Sequence, residues 1–193
     1  MNLPCCSIVF YWQTIINGFR MQQAQLELLV LAMQGGDKRA FTLLYRHYHA
    51  DLRRFAAYLL ASPAPAEDVV QNVWLKIGQR IGRLQDPAVF TSWLYRAVRG
   101  EVKDYKKQAA QRLTEPFTDQ HDAAVKPPDP PDNALAQAIA SLPLDVREAV
   151  QLYYLHELAQ QQIALVLDIP EGTVKSRLHR ARNLLHQALT KEN

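Results

Sequence analysis

Between Leu158 and Leu189 two short apolar periods are separated by an abrupt break. Ile163, Ala164 and Leu167 line one helical face, Asp168-Ile169-Pro170 interrupts the period, and Gly172-Thr173-Val174 opens a second helix. In that helix Val174, Leu178, Ala181, Leu185 and Leu189 recur at threes and fours, so Ser176, His179, Arg180 and Asn183 project from the opposite side. Two helices joined by a tight turn, the second with an outward polar face, form a helix-turn-helix, and that face can enter a DNA major groove. From Gly172 to Thr190 there is no acidic residue, whereas Lys175, Arg177, Arg180 and Arg182 are present, so phosphates meet no internal neutralisation. A solvated basic helix at the end of a bundle has the same composition. The turn, the small Ala164 at the crossing and the acid-free second helix favour DNA.

The remainder of the chain is organised around this element. A length of 193 residues holds one large domain or two small ones, and 48% hydrophobic residues supply cores. The formal charge of +3 is mild but regional: cations outnumber acids 8 to 5 over residues 63–110, and acids lead 5 to 2 over residues 111–140. Cys5 and Cys6, adjacent in sequence, cannot staple distant segments, which fits a reducing cytoplasmic compartment. Residues 1–20 do not conform to the rest. Ile8–Phe19 is apolar and aromatic, yet it is interrupted by Gln13, Thr14 and Asn17 and is too short to span a bilayer. A membrane-touching or partner-binding arm is one reading; the favoured one is a disordered extension preceding a functional start at Met21. No membrane insertion is expected.

Residues 111–132 change character again, because five of the 11 prolines and four aspartates fall in and immediately beside this stretch, with little aliphatic content. Such a segment cannot bury enough apolar surface to order itself, and reads as a flexible, semi-stiff linker. It separates residues 21–110 from residues 133–193. Neither half has strand-like alternation, so the expected fold class is all-α, two small helical domains.

In the first domain Gly35-Gly36 ends one helix and Asp37 caps the next, whose Phe41, Leu44, Tyr45, Tyr48, Leu52, Phe55 and Leu59 are core-forming. A helix beginning near Ser62-Pro63 or Pro65 buries Val69, Val70, Val73, Trp74 and Ile77, and turns Asp68, Gln71, Asn72 and Leu75 outward. Asp68 complements the helix dipole and a single exposed leucine is ordinary, but an apolar residue within a weakly charged polar face is also how a docking surface looks. The residues alone leave both readings open. A further helix, about residues 88–108, buries Phe90, Trp93, Leu94, Ala97 and Val98, and carries Arg96, Arg99, Lys103 and Lys106 as a basic stripe bordered by Tyr95. Cations beside an aromatic suit an unpaired strand, since phosphates need charge and unstacked bases need a flat partner; a solvated outer face is the alternative. Glu101 and Asp104 fall near the apolar side, so beyond Val98 the helix either leaves the core or pairs these acids.

The order of these pieces resembles a family. The sequence Asp37-Lys38-Arg39-Ala40-Phe41 with Leu44-Tyr45 and Tyr48 is followed by Ala66-Glu67-Asp68-Val69-Val70-Gln71-Asn72-Val73 and then by Trp93-Leu94-Tyr95-Arg96. Leu142-Pro143 with Arg147-Glu148, and Gly172-Thr173-Val174-Lys175-Ser176-Arg177-Leu178 with Arg180-Ala181-Arg182, complete the set. Together they look like a bacterial RNA polymerase sigma factor of the extracytoplasmic-function (ECF) type. The resemblance covers nearly everything after Met21 except the linker. It implies that the first domain is sigma region two and the second is region four, with no region three. It further implies that Asp68, Gln71, Asn72 and Leu75 dock on the clamp helices of the core polymerase's largest subunit. Tyr95, Arg96, Arg99, Lys103 and Lys106 would hold the downstream promoter element as a single strand, and Thr173, Lys175, Ser176, Arg177, His179 and Arg180 would read the upstream element as duplex. The body of region four would bind the polymerase flap, and an anti-sigma factor enters as a further partner.

The chain departs from the family pattern at three places. Gly100 stands where an Asn usually follows the Arg, Asp168 replaces a common turn Gly, and Leu158-Ala159-Gln160-Gln161-Gln162 lacks the usual Ser cap and Glu. The missing cap should weaken its helix by roughly 1 kcal/mol. Two other classes compete. A stand-alone helix-turn-helix repressor or activator would need no polymerase, and the basic stripe and the Asp68–Leu75 face argue against it. An enzyme would need more than His47, His49, His179 and His186, which have no Cys partners, metal-ligand cluster or nucleophile–base–acid set beside them. No cofactor and no catalytic residue are expected.

Overall fold

The computed structural model describes residues 21–112 and 134–190, so the N-terminal extension and all but the first two residues of the expected linker lie outside the described residues. The described residues are helical, without strands. In chain order the helices are α1 (Gln23–Gln34), α2 (Lys38–Leu60), α3 (Ala66–Arg80), α4 (Phe90–Arg112), α5 (Ala134–Ser141), α6 (Leu144–Val150), α7 (Gln160–Leu167) and α8 (Glu171–Thr190). Two short 3-10 turns, Ile81–Arg83 and Pro87–Val89, connect α3 to α4, and a π-helical turn, Gln151–Leu155, extends α6.

Local chemistry explains most boundaries. Gly36, at φ +88°, takes the left-handed backbone that ends α1. Asp37 then accepts from the backbone N–H of Arg39 and Ala40 at 2.7 and 3.4 Å, satisfying donors that the first turn of α2 leaves unpaired. Pro65 precedes α3, and Glu67 and Asp68 sit in its first turn, where the helix dipole favours anions. α4 runs past residue 108 to Arg112, as Lys106, Lys107, Gln108, Ala109 and Ala110 are strong helix formers.

The first four helices bury Leu44, Leu52, Phe55, Val69, Val73, Ile77, Phe90, Leu94 and Val98 in one core. That core extends further along α4 than the sequence period indicated. Val102 is buried, and Glu101 is accommodated by an ion pair with Lys76 of α3. Trp93 is only half-buried, at the edge of the core beside Phe90. In the second half α6, α7 and α8 enclose Val146, Leu152, Ile163, Val166, Val174 and Leu178. The two cores join, because α4 packs against α7 and His156, just after the π-turn, packs against Phe55 of α2 and Tyr95 of α4.

Candidate nucleic-acid interface

α8 carries the expected helix-turn-helix face. Asp168 ends α7 in the left-handed conformation at φ 60° and ψ 47°, which Asp tolerates better than most side chains, so the turn survives without its Gly. Val174, Leu178 and Ala181 are buried, and Leu185 is half-buried. Lys175, Ser176, His179 and Arg180 are exposed together on the opposite side. Three of these have local partners: Lys175 pairs with Glu171 at 2.9 Å, and His179 Nε2 lies 3.3 Å from Asn183 Nδ2. Ser176 donates its hydroxyl to the Thr173 carbonyl at 2.9 Å and keeps its lone pairs for a donor. Thr173 and Arg177 are half-buried. Arg177 reaches Asp145 of α6 at 3.5 Å, which ties the recognition helix to its own domain rather than aiming the guanidinium outward.

Ala159 precedes α7 at the N-cap position and its side chain cannot cap the helix, but Gln162 Oε1 accepts from the Ala159 N–H at 3.0 Å. Half of a capping box is therefore retained, a contribution of Gln162 that its resemblance to the missing Glu could have signalled.

On α3, Asp68, Gln71, Asn72 and Leu75 form a continuous exposed strip, with Leu75 at 65% exposure. Beside it Gln71 Nε2 donates to Glu67 Oε1 at 3.3 Å. The strip lies opposite Val69, Val73 and Ile77, which are at most 2% exposed.

The basic stripe of α4 is not a uniform solvent face. Arg96 and Lys103 are exposed, but Lys106 donates to the Leu59 carbonyl at 2.6 Å and so helps satisfy the C-terminal end of α2. Tyr95, expected to border the stripe at the surface, is buried beneath the second half. Its ring stands 5.3 Å from Phe55 and 5.1 Å from His156, and its hydroxyl lies 3.1 Å from His156 Nδ1. Arg99 donates through Nε and Nη2 to the two carboxylate oxygens of Glu148, at 2.6 and 3.5 Å, and Arg96 approaches Asp168 at 3.4 Å. Burial lowers the His156 pKa from 6.5 to about 4, with Asp51 opposing the shift and Arg54 adding to it. Burial likewise raises the nearby Tyr58 phenol to about 12. Gly100 lies on the exposed side of α4, where an added Cβ would meet nothing within 4 Å, so no packing demand accounts for the absent side chain.

Sequence reasoning missed Glu148, His156 and Asp51, which acquire significance only where the two halves meet. No group of three or more His, Cys, Asp or Glu able to hold a metal occurs among the described residues. His49 stacks on Tyr45 at 4.5 Å and its Nε2 lies 3.2 Å from Glu67 of α3, a half-buried pair between two helices. No described helix is long and apolar enough to cross a membrane.

Two family models match the chain. Residues 44–112 match the family described as Sigma-70 region 2, and residues 132–185 match Sigma-70, region 4. The chain is 30% identical to the RNA polymerase sigma-H factor of Pseudomonas aeruginosa, over 88% of this chain and 96% of that one. It is also 30% identical to the ECF RNA polymerase sigma-E factor of Escherichia coli, over 85% of this chain and 94% of that one. Its fold resembles that of CnrH, solved in complex with the cytosolic domain of CnrY, with a TM-score of 0.63 at 20% identity over 87% of this chain and 99% of that one. RpoE of Bartonella quintana, solved with the anti-sigma factor NepR, gives a TM-score of 0.60 at 24% identity over 79% and 98%. With both regions present in order and relatives matched over nearly their whole length, the chain belongs to the sigma-70 family, as an ECF sigma factor that directs RNA polymerase in transcription initiation.

Proposed function

We propose that residues 21–110 form the module that binds core polymerase and the unpaired strand, that residues 133–193 form the duplex-reading module, and that residues 111–132 connect them. The α3 strip Asp68, Gln71, Asn72 and Leu75 is the contact to the polymerase clamp. Tyr95, Arg96, Arg99, Lys103 and Lys106 on α4 serve the melted downstream element, and Thr173, Lys175, Ser176, Arg177, His179 and Arg180 serve the upstream one. Arg177 and Lys106 act there through position more than through direct contact, since each is engaged by its own domain. The protein works in the cytoplasm beside its polymerase, performs no catalysis of its own, and is held in reserve by an anti-sigma factor, as RpoE of Bartonella quintana was solved with one.

The observation that carries this reading is the pairing of two separate exposed faces in one chain. α8 presents Lys175, Ser176, His179 and Arg180 together, a set suited to phosphates and base edges. α3 presents a weakly charged polar strip around a leucine at 65% exposure, suited to a protein partner. Runoff transcription with core polymerase tests it. The intact chain should support specific initiation, Asp68→Lys should lose core association with its helicity unchanged, and Arg180→Ala should lose the upstream footprint. Tight specific duplex binding unaffected by added core would instead favour a stand-alone regulator.

A further inference from the structure

Gln34, the last residue of α1, reaches out of its own helix. Its Nε2 donates to the carbonyls of Ile81 and Leu84 at 3.0 and 2.6 Å, at the start of the 3-10 turn that follows α3 and just beyond it. Carbonyls at the end of a helix have no partner within it, and one amide nitrogen carries two hydrogens, so a single half-buried side chain serves both acceptors. At the other end of the same loop Gln23 Nε2 donates to the Ala88 carbonyl at 3.4 Å, in the 3-10 turn that leads into α4. α1 packs against both turns. Within the loop Asp86 Oδ1 accepts from the Ala88 N–H at 2.9 Å, while Gly82, Arg83, Gln85 and Asp86 are exposed. We infer that α1 is a clamp for the loop of residues 81–89 and that Gln34 is a positioning residue for strand opening: with both ends of the loop held, its exposed middle is already ordered when the unpaired strand reaches the first turns of α4.

Of the two glutamines, Gln34 carries the clamp. Gln23 is exposed, makes the longer bond and also donates to Glu27 at 2.9 Å, whereas both bonds of Gln34 are short and partly shielded from water. α3 and α4 are fixed to each other independently, by the core they share and by the Lys76–Glu101 ion pair. Loss of the Gln34 bonds therefore frees the loop and leaves the helices in place. The docking strip at Asp68, Gln71, Asn72 and Leu75 lies on the body of α3, before the loop begins, so core association is expected to be indifferent to Gln34. The loop adjoins the N-terminal end of the strand helix and carries the exposed cation Arg83, which suits a phosphate. A loop ordered beforehand does not have to be ordered on binding, and strand capture is stronger for it. The inference rests on the reading of α4 as the strand element, and the test separates the two.

Gln34→Glu keeps the side-chain length but turns a carboxylate toward two carbonyl oxygens at the negative end of a helix. Gln34→Lys keeps a donor there, and that end favours a cation. Three quantities are read on the full chain: hydrogen exchange of the amides within residues 82–89, association with core polymerase, and, in the holoenzyme, permanganate reactivity of thymines on a promoter template that the unaltered holoenzyme opens. In Gln34→Glu the loop should exchange faster, core association should hold, and opening per bound molecule should fall on the order of tenfold, the scale of ordering a loop at the moment of binding. Gln34→Lys should restore both exchange and opening. Unchanged exchange in Gln34→Glu overturns the clamp. Faster exchange with unchanged opening overturns its part in strand opening, and Lys103→Ala then decides what else falls. Weaker opening in that variant retains α4 as the strand element, whereas no effect removes that reading as well. A Gln34→Lys chain as impaired as Gln34→Glu, or core association that falls in step with opening, assigns Gln34 to folding alone and overturns the proposal. Should Gln34→Glu lose helicity, Gln34→Met, uncharged and of similar length, gives the same readouts with the same consequences, and loss of helicity there too overturns the proposal.

Discussion

Acidification should loosen the junction between the two halves through His156. With its ring buried against Phe55 and Tyr95, the imidazole titrates at about 4 rather than 6.5. Once the halves part, Phe55 and Tyr95 no longer cover the ring, and the ordinary value returns. A histidine with a depressed pKa stabilises the closed form fully above 6.5, and this stabilisation is lost as pH falls toward 4, because the open form takes up the proton that the closed form refuses. Each unit of difference is worth about 1.4 kcal/mol, so by pH 5 the closed form loses about 2 kcal/mol, roughly a 30-fold change in the closed-to-open ratio. The groups facing the ring include Asp51 and Arg54 from α2 and Tyr95 from α4; Asp51 favours the proton, Arg54 opposes it, and burial outweighs both. Distances between spin labels placed on the two halves, followed from about pH 7.5 to about pH 5, should shift toward longer values, and His156→Asn should flatten the response. A distance distribution that ignores pH over this window, or one that responds equally in His156→Asn, refutes the reasoning.

Other outcomes follow from the same geometry. Leu75→Ser should weaken core polymerase binding by roughly 1 to 3 kcal/mol if Leu75 anchors the contact, with folding stability within about 0.5 kcal/mol because the side chain is exposed; titration calorimetry with core and thermal melting check the two halves of the statement. Arg180→Ala should cost roughly 1 to 3 kcal/mol at the upstream element if it reads a base, measured by footprinting at fixed salt. Gly100→Ala should stabilise the first domain by about 1 kcal/mol, since helix propensity rises and the new Cβ meets nothing within 4 Å; denaturant titration measures it. Ala159→Ser should supply the absent cap of α7 and add roughly 0.5 to 1 kcal/mol, read as a rise in Tm.

The features legible in the sequence are those that arise within a few residues of chain. The Asp37 cap, the Gly36 stop, the apolar periods of α2 and α3, the outward strip at Asp68–Leu75 and the Asp168 turn depend on the i to i+4 repeat and on local backbone preference. The partners of the α4 face depend on which helix lies across it. Tyr95 and Arg99 lie on the same helix as Lys103 and read alike in sequence, yet the first two are covered by His156 and Glu148, residues 61 and 49 positions away, while Lys103 stays at the surface. Arg177 and Lys106 likewise gain partners within the protein only because Asp145 and the Leu59 carbonyl are brought within reach. Helical periodicity determines which side chains share a face. Only the packing of one helix on another determines what that face meets, since long polar side chains take whichever partner the tertiary fold supplies.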